Sequence, residues 1–385
     1  MKKLRSTKSA KCGIELEHYV RHCGSPVAPA WEIEQCGIYL ENLYFCKRFS
    51  KIQKNITYMK KSIIIGLAAA IILLSACGNG KKSPTFKVDN FSNGKAGELI
   101  LVMSDDCFTD NRKDSVIRAF TQPQPAINQI EPMFDLLKFQ PKDFTPYFQR
   151  HRGIVQFDVD NAYSSNTFSI DKNVWAAPQV VVRIKGNNAD SCLALFYSHR
   201  KEIIDQFYDN DLKRLQSVYK NEADASVQKI LRDKFGIQID APAQYFIASQ
   251  EDNFLWLRYK TARNDRFIMV YKTPMTALSR ENLIAARNEI TQKHIPGAVR
   301  GSYPVIADTY GLPNAHPLAV GSKQGMEMRG LWESVNDKMG GPFYSFSFLD
   351  PAGQYCISVD GFVYAPQENK RDYLREVEAI VKSVR

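Results

Sequence analysis

The sequence predicts an α+β fold: antiparallel sheets with helices packed on one face, arranged as two lobes. Three observations lead there. Long stretches with helical apolar spacing lie between runs of short strands instead of following each strand singly. The last two strands are joined by a tight turn, which makes them antiparallel. The chain of 385 residues is 44% hydrophobic and 24% charged, as ordinary globular proteins are.

The elements follow in chain order. The apolar run 98–103 reads as a buried strand. It ends in Ser104-Asp105-Asp106-Cys107. A helix is expected from about Asp110, with Val116, Ile117 and Phe120 on one face, until Pro123 and Pro125 stop it. A short helix at 142–149 precedes strands at 153–159, 167–171 and 179–184. Asn188 or Asp190 can cap a long helical region that 222–225 divides and Gly236 ends. Strands are expected at 245–249, 254–260 and 267–272. Ser279 then caps a helix with Leu283, Ile284 and Ile290 on its buried stripe, closed by Ile295-Pro296-Gly297. Strands at 325–333, 343–348 and 355–364 follow, the last two linked by Asp350-Pro351-Ala352-Gly353, a type I turn with Pro second. A final helix over 368–382 buries Tyr373, Leu374, Val377 and Ile380. The two lobes are placed at 91–240 and 241–385.

Before these elements lies a targeting signal. Met59-Lys60-Lys61 precedes an apolar run over 63–76, and Leu74-Ser75-Ala76-Cys77 closes it. A cationic start, a short apolar stretch and small residues before a cleavage point make a secretory signal peptide. The run is too short for a spanning helix, which needs about 20 residues. Leu74-Ser75-Ala76-Cys77 resembles the bacterial lipobox, which implies lipid on the Cys77 thiol and cleavage before it. Several acyl chains give lasting anchorage, each buried methylene adding about 0.8 kcal/mol. Gly78-Asn79-Gly80-Lys81-Lys82-Ser83-Pro84 opens a flexible tether over 77–90. With Gly after the cysteine, lipoprotein sorting rules imply the outer membrane, and the basic rather than acidic cluster that follows favours its periplasmic face. Residues 1–58, which precede the signal at 59–76, are read as translated upstream sequence from a misplaced start codon.

The signal changes the charge argument. The whole chain carries +10, but residues 1–58 hold ten Lys and Arg against five Asp and Glu, and the signal adds Lys60 and Lys61. The 309 residues from Cys77 onward carry only +3. That removes the electrostatic basis for a nucleic-acid partner, which needs concentrated positive charge. Of eight cysteines, Cys107, Cys192 and Cys356 remain beside the lipidated one. One disulfide is open among them, and sequence leaves the pair undecided. No CxxC or CxxH spacing supports zinc, and no motif calls for a cofactor.

Several segments carry a resemblance: Asp252-Asn253-Phe254-Leu255-Trp256-Leu257-Arg258-Tyr259, Arg329-Gly330-Leu331-Trp332-Glu333, Met339-Gly340-Gly341-Pro342-Phe343 and Gly361-Phe362-Val363-Tyr364-Ala365-Pro366, with Asn173-Val174-Trp175-Ala176 and Ile295-Pro296-Gly297. In order and spacing they resemble a family of Bacteroidetes lipoproteins carrying a domain of unknown function, over about residues 90–383. The resemblance implies no established activity, cofactor or catalytic residue.

Candidate sites are weighed on their chemistry. Three SxxK matches (Ser198, Ser217, Ser226) lie in one polar helical region without companion SDN or KTG motifs, so they assign no acylating serine. Asp105, Asp106, Asp110 and Asp114 cluster between a strand and a helix, where they suit helix-terminus charge. Asp158 and Asp160 share a strand face. Trp256, Arg258, Trp332 and Glu333 form the possible partner surface, since aromatic rings with Arg mark recognition surfaces. Met339-Gly340-Gly341-Pro342 suits a tight turn or close backbone approach. The expected function is a non-catalytic, membrane-anchored envelope protein binding a protein, peptide or glycan. The alternative is a hydrolase using scattered carboxylates such as Asp158 or Asp106.

Overall fold

The computed structural model describes residues 91–309 and 311–385. Cys77, the signal at 59–76, the tether and residues 1–58 lie outside the described residues. Among the described residues, 6 helices and 13 strands build an α+β fold with two sheets. No helix among them is long and apolar enough to cross a membrane.

The first sheet holds β1 (Glu98–Val102), β2 (Asp135–Phe139), β3 (Gly153–Val159), β4 (Thr167–Lys172) and β5 (Val180–Gly186), in the order β2-β1-β3-β5-β4. The sequence leads one to expect antiparallel pairing here. In fact β1 pairs in parallel with β2 and β3, and β3 in parallel with β5; only the edge strand β4 is antiparallel. The reason is connectivity. Helix α1 (Asp110–Phe120) carries the chain back over the sheet, so β2 starts again in the direction of β1. Sequence pattern misses β2 because its Asp135-Leu136-Leu137-Lys138-Phe139 is half-exposed on an edge and shows no clean alternation.

Leu99, Leu101, Val155, Phe157, Val180, Val182 and Ile184 face α1 and the long helix α3 (Ala189–Glu222). The alternate residues Ile100, Val102, Ile154 and Val181 face the other way, under Phe139, Phe144, Phe148 and Trp175. Phe148 belongs to the one-turn helix α2 (Pro146–Gln149). The chain enters α3 where the Asn188 side chain accepts from Ser191 N at 2.8 Å. It leaves α3 at Ala223, and Asp224 caps α4 (Ala225–Phe235) by accepting from Ser226 N and Val227 N. Gly236 ends α4 with φ +67°, the left-handed conformation that glycine adopts without penalty.

The second sheet is antiparallel throughout, in the order β10-β11-β12-β13-β8-β7-β6 with β9 on β11. Its strands are β6 (Phe246–Gln250), β7 (Phe254–Lys260), β8 (Asp265–Pro274), β9 (Tyr303–Ile306), β10 (Asn314–Val320), β11 (Lys323–Val335), β12 (Gly340–Leu349) and β13 (Tyr355–Tyr364). The β12–β13 hairpin closes with Gly353 N donating to Asp350 O at 2.9 Å. Helices cover both faces of this sheet, not one, because both faces are apolar. Leu255, Leu257, Val270, Phe346, Val359 and Val363 pack on α4 and on α6 (Arg371–Val381). Phe254, Trp256, Met269, Trp332 and Phe362 pack under α5 (Arg280–His294), through its Leu283 and Ile290. Each such side chain, fully buried, contributes roughly 1.5–3 kcal/mol.

Helix α6 is the seam between the sheets. Its apolar stripe of Leu374, Val377 and Ile380 lies on the second sheet, while its polar stripe meets the first half of the chain. Glu131 caps its start, accepting from Lys370 N at 2.7 Å and Arg371 N at 2.8 Å. Asp211 of α3 accepts from Gly97 N at 2.7 Å and Arg152 Nη1 at 3.1 Å, and lies 3.4 Å from Arg375 Nη1. Glu378 accepts from Tyr208 Oη of α3 and pairs with Arg329 and Lys382.

Candidate functional site

Trp256 and Arg258 lie on β7, and Trp332 and Glu333 on β11. Four strand spacings separate β7 from β11 in the sheet, roughly 19 Å. The two tryptophans are therefore not neighbours. They are interior residues, 8% and 2% exposed. Trp256 stacks on Phe267, Phe267 on Phe362, and Trp332 meets Phe362 edge-on. This aromatic row is the floor beneath α5. Arg258 lies over Phe267 and donates to Asp265 Oδ2 at 2.6 Å. Glu333 alone of the four is exposed. Trp256 is no part of a surface, because α5 covers the sheet face to which it points, whereas Trp332 and Glu333 line a cavity on the same sheet.

Asp105 pairs with Lys113, which is also 3.9 Å from Asp110. Among the described residues, no three His, Cys, Asp or Glu side chains come together as a metal would require. Asp160 closes a turn by accepting from Ala162 N at 2.9 Å. Three of the four histidines among the described residues face a carboxylate: His151 with Glu98, His199 with Glu202 and His294 with Glu251. Cys107, Cys192 and Cys356 are free thiols.

The first sheet brings a different set together. From β1 the chain crosses through α1 to β2 on one side, while from β3 it passes to β4 and β5 on the other. The space beyond the carboxyl ends of β1 and β3 is therefore left uncovered by either connection, the usual ligand crevice of a parallel sheet. Along the face away from α3, period two sets Gln156 and Asp158 on β3 beside Arg183 and Lys185 on β5, in register. The amino-terminal half of this face is apolar and covered. The carboxyl-terminal half opens as a cavity of about 280 Å³ lined by Val102, Pro141, Phe144, Gln156, Asp158, Arg183 and Lys185. On the helix-α1 side of the same edge, a cavity of about 750 Å³ is lined by Asp105, Asp110, Lys113, Asp114, Lys138 and Asp143, among others.

The groups in the smaller cavity are pre-arranged. Arg183 lies 5.2 Å over the Trp175 ring and 2.5 Å from Asp171 Oδ2. Trp175 meets Phe144 edge-on at 6.1 Å. Lys185 Nζ is 5.6 Å from the Tyr163 ring centre and 3.6 Å from Asp158 Oδ2, which also accepts from Tyr163 Oη at 2.6 Å. That hydrogen bond, with Asp158's charge, pushes the Tyr163 hydroxyl up to about 12, so Tyr163 stays a donor at neutral pH. Cys192 lies behind the site, its Sγ 3.6 Å from Asp158 O, and burial pushes its thiol up to about 11. It is a thiol, not a thiolate nucleophile. The constellation sought at Trp256 and Arg258, aromatic ring plus arginine, thus occurs at Trp175 and Arg183. Alternating polar residues late in an otherwise apolar β5 are the signal in the sequence that points to it.

The comparisons with known proteins divide the chain between residues 220 and 224 rather than at 240. Residues 92–220 match a domain of unknown function (DUF8532), and residues 224–383 match another (DUF4837). The boundary falls at the Ala223–Asp224 break between α3 and α4. No curated protein matches the chain.

Proposed function

We propose that the chain is a membrane-anchored envelope lipoprotein whose first sheet binds a neutral polar ligand, a glycan, without turning it over. The observation that carries this reading is the groove beside Asp158, where each charge already has an opposite charge: Asp158 with Lys185, and Arg183 with Asp171. Such a site makes little demand for a charged ligand, yet keeps lone pairs and N–H groups for hydroxyls, with Pro141 and Phe144 as apolar walls. A hydrolase at this site would need a second carboxylate opposite Asp158. Asp160 is instead engaged in its turn.

Anchorage rests on Cys77. Labelled palmitate incorporated by the wild-type chain and lost in Cys77→Ser supports it; equal incorporation by both overturns it. Binding is tested by calorimetry with neutral oligosaccharides released from the envelope. A folded protein that binds none of them, or binds envelope peptides through the same groove, overturns the glycan reading. Release of shortened saccharides would replace binding with hydrolysis.

A further inference from the structure

A second site lies on the other sheet and does not depend on the glycan groove. Among the described residues, five Lys or Arg side chains are buried: Arg266, Arg287, Lys370, Arg371 and Arg375. Four of them have a carboxylate: Arg266 pairs with Glu376, Arg287 with Asp360, Arg371 with Asp135 and Arg375 with Asp211. Lys370, 4% exposed, does not. Its Nζ donates to the amide oxygen of Gln129 at 2.6 Å and to Glu368 O at 3.1 Å, both neutral. The nearby Glu131 carboxylate is taken up by the backbone N–H groups of Lys370 and Arg371. A desolvated ammonium with no carboxylate in contact is costly, and buried charges are ordinarily paired directly. Burial pulls the Lys370 amine below the usual lysine range, against the opposing influence of Glu131.

Lys370 opens on a cavity of about 370 Å³ whose lining includes Gln129, Trp332, Glu333, Asp337 and Tyr364. That volume is within the range of small-molecule sites. A second group in the lining lacks a partner: Asp337 Oδ2 is buried and accepts no hydrogen bond. The Trp332 indole N–H is used by Val363 O, so its ring is an apolar wall. An occupant that completes the site brings an anion for Lys370 and an N–H donor for Asp337. We propose that this cavity binds a ligand bearing a carboxylate and an adjacent N–H group, the chemistry shared by a free amino acid and a peptide carboxyl terminus.

Calorimetry on the full-length chain in detergent tests this with glycine, N-acetyldiglycine and glycinamide as probes. The carboxylate-bearing probes are expected to bind and to protect Lys370 from acetylation, mapped by mass spectrometry; glycinamide is not. Preference for glycine identifies the free amino acid, and preference for N-acetyldiglycine identifies the chain end. Lys370→Met removes a buried charge whose contacts are all neutral, so it leaves the fold intact and weakens binding at least about tenfold. Asp337→Asn, which keeps an acceptor oxygen but loses the charge, weakens it less. Failure of both carboxylates to bind the folded protein, or equal binding by Lys370→Met, overturns the proposal.

Discussion

The indole N–H of Trp332 donates to the backbone oxygen of Val363 at 3.1 Å, across ground that a side chain on Gly341 would occupy. A Cβ on Gly341 would stand 2.1 Å from Val363 O and 3.3 Å from Trp332 Nε1, with backbone on the near side that cannot give. Glycine here serves close approach within the sheet. Gly341→Ala is expected to lose about 1–3 kcal/mol or more, as overpacked cores do. Guanidinium unfolding measures it; an unchanged midpoint would show that β12 can shift.

Glu378 gives the protein an acid limit. Burial alone would raise its carboxyl, but Arg329 and Lys382 outweigh burial and hold it at about 2, against 4.5 ordinarily. A folded pKa below the unfolded one means stability that is present above 4.5 and lost as pH falls toward 2. The loss is of the order of 3 kcal/mol. Urea midpoints taken across that window should fall for the wild-type chain and fall less for Glu378→Gln. Parallel curves for the two would refute the assignment.

Arg287 and Asp360 form a fully buried pair, Nε to Oδ2 at 2.8 Å, with the guanidinium 4.2 Å from the Phe343 ring centre. Asp360→Ala strands the cation and is expected to lose about 3–5 kcal/mol. Replacing both partners, Arg287→Met with Asp360→Leu, should recover most of that, since no buried charge is left alone. Thermal unfolding of the single and double variants distinguishes pairing from packing: a double variant as weak as the single one would mean that packing dominates.

In the groove, Phe144→Ala and Asp158→Asn are each expected to weaken oligosaccharide binding by about tenfold, the effect of losing one wall or one charge-assisted hydrogen bond. Trp256→Phe, a change in the other sheet's core, should leave that affinity alone. Equal affinity across all three variants would move the ligand elsewhere.

Much of the secondary structure is legible residue by residue. β3, β7 and β13 have the bounds that their apolar patterns indicate, and α1 begins at Asp110. Asn188, Ser279 and Gly236 cap the helices to which their chemistry assigns them. Strands β2 and β10 escape such reading because each is mostly exposed and alternation weakens where neither face is buried, and β9 because it is only 4 residues long. The polar stripe of α6 is illegible for another reason. Arg375 and Glu378 look like a solvated helix face, and only their meeting with Asp211 and Tyr208, more than 160 residues away in the chain, buries them.

The site shows the same division. Trp256 with Arg258 and Trp175 with Arg183 are the same pairing of residue types, and nothing local separates them. Spacing along a strand states which side chains share a face, and so the sequence alone yields the α+β class, the strand faces, the caps and the expectation of lipid on Cys77. It is silent on what covers each face. Packing settles that: α5 closes over Trp256, while the crossovers leaving β1 and β3 run in opposite directions and keep the edge beside Asp158 and Arg183 open. Coverage depends on contacts between distant segments, and a local pattern carries no record of them.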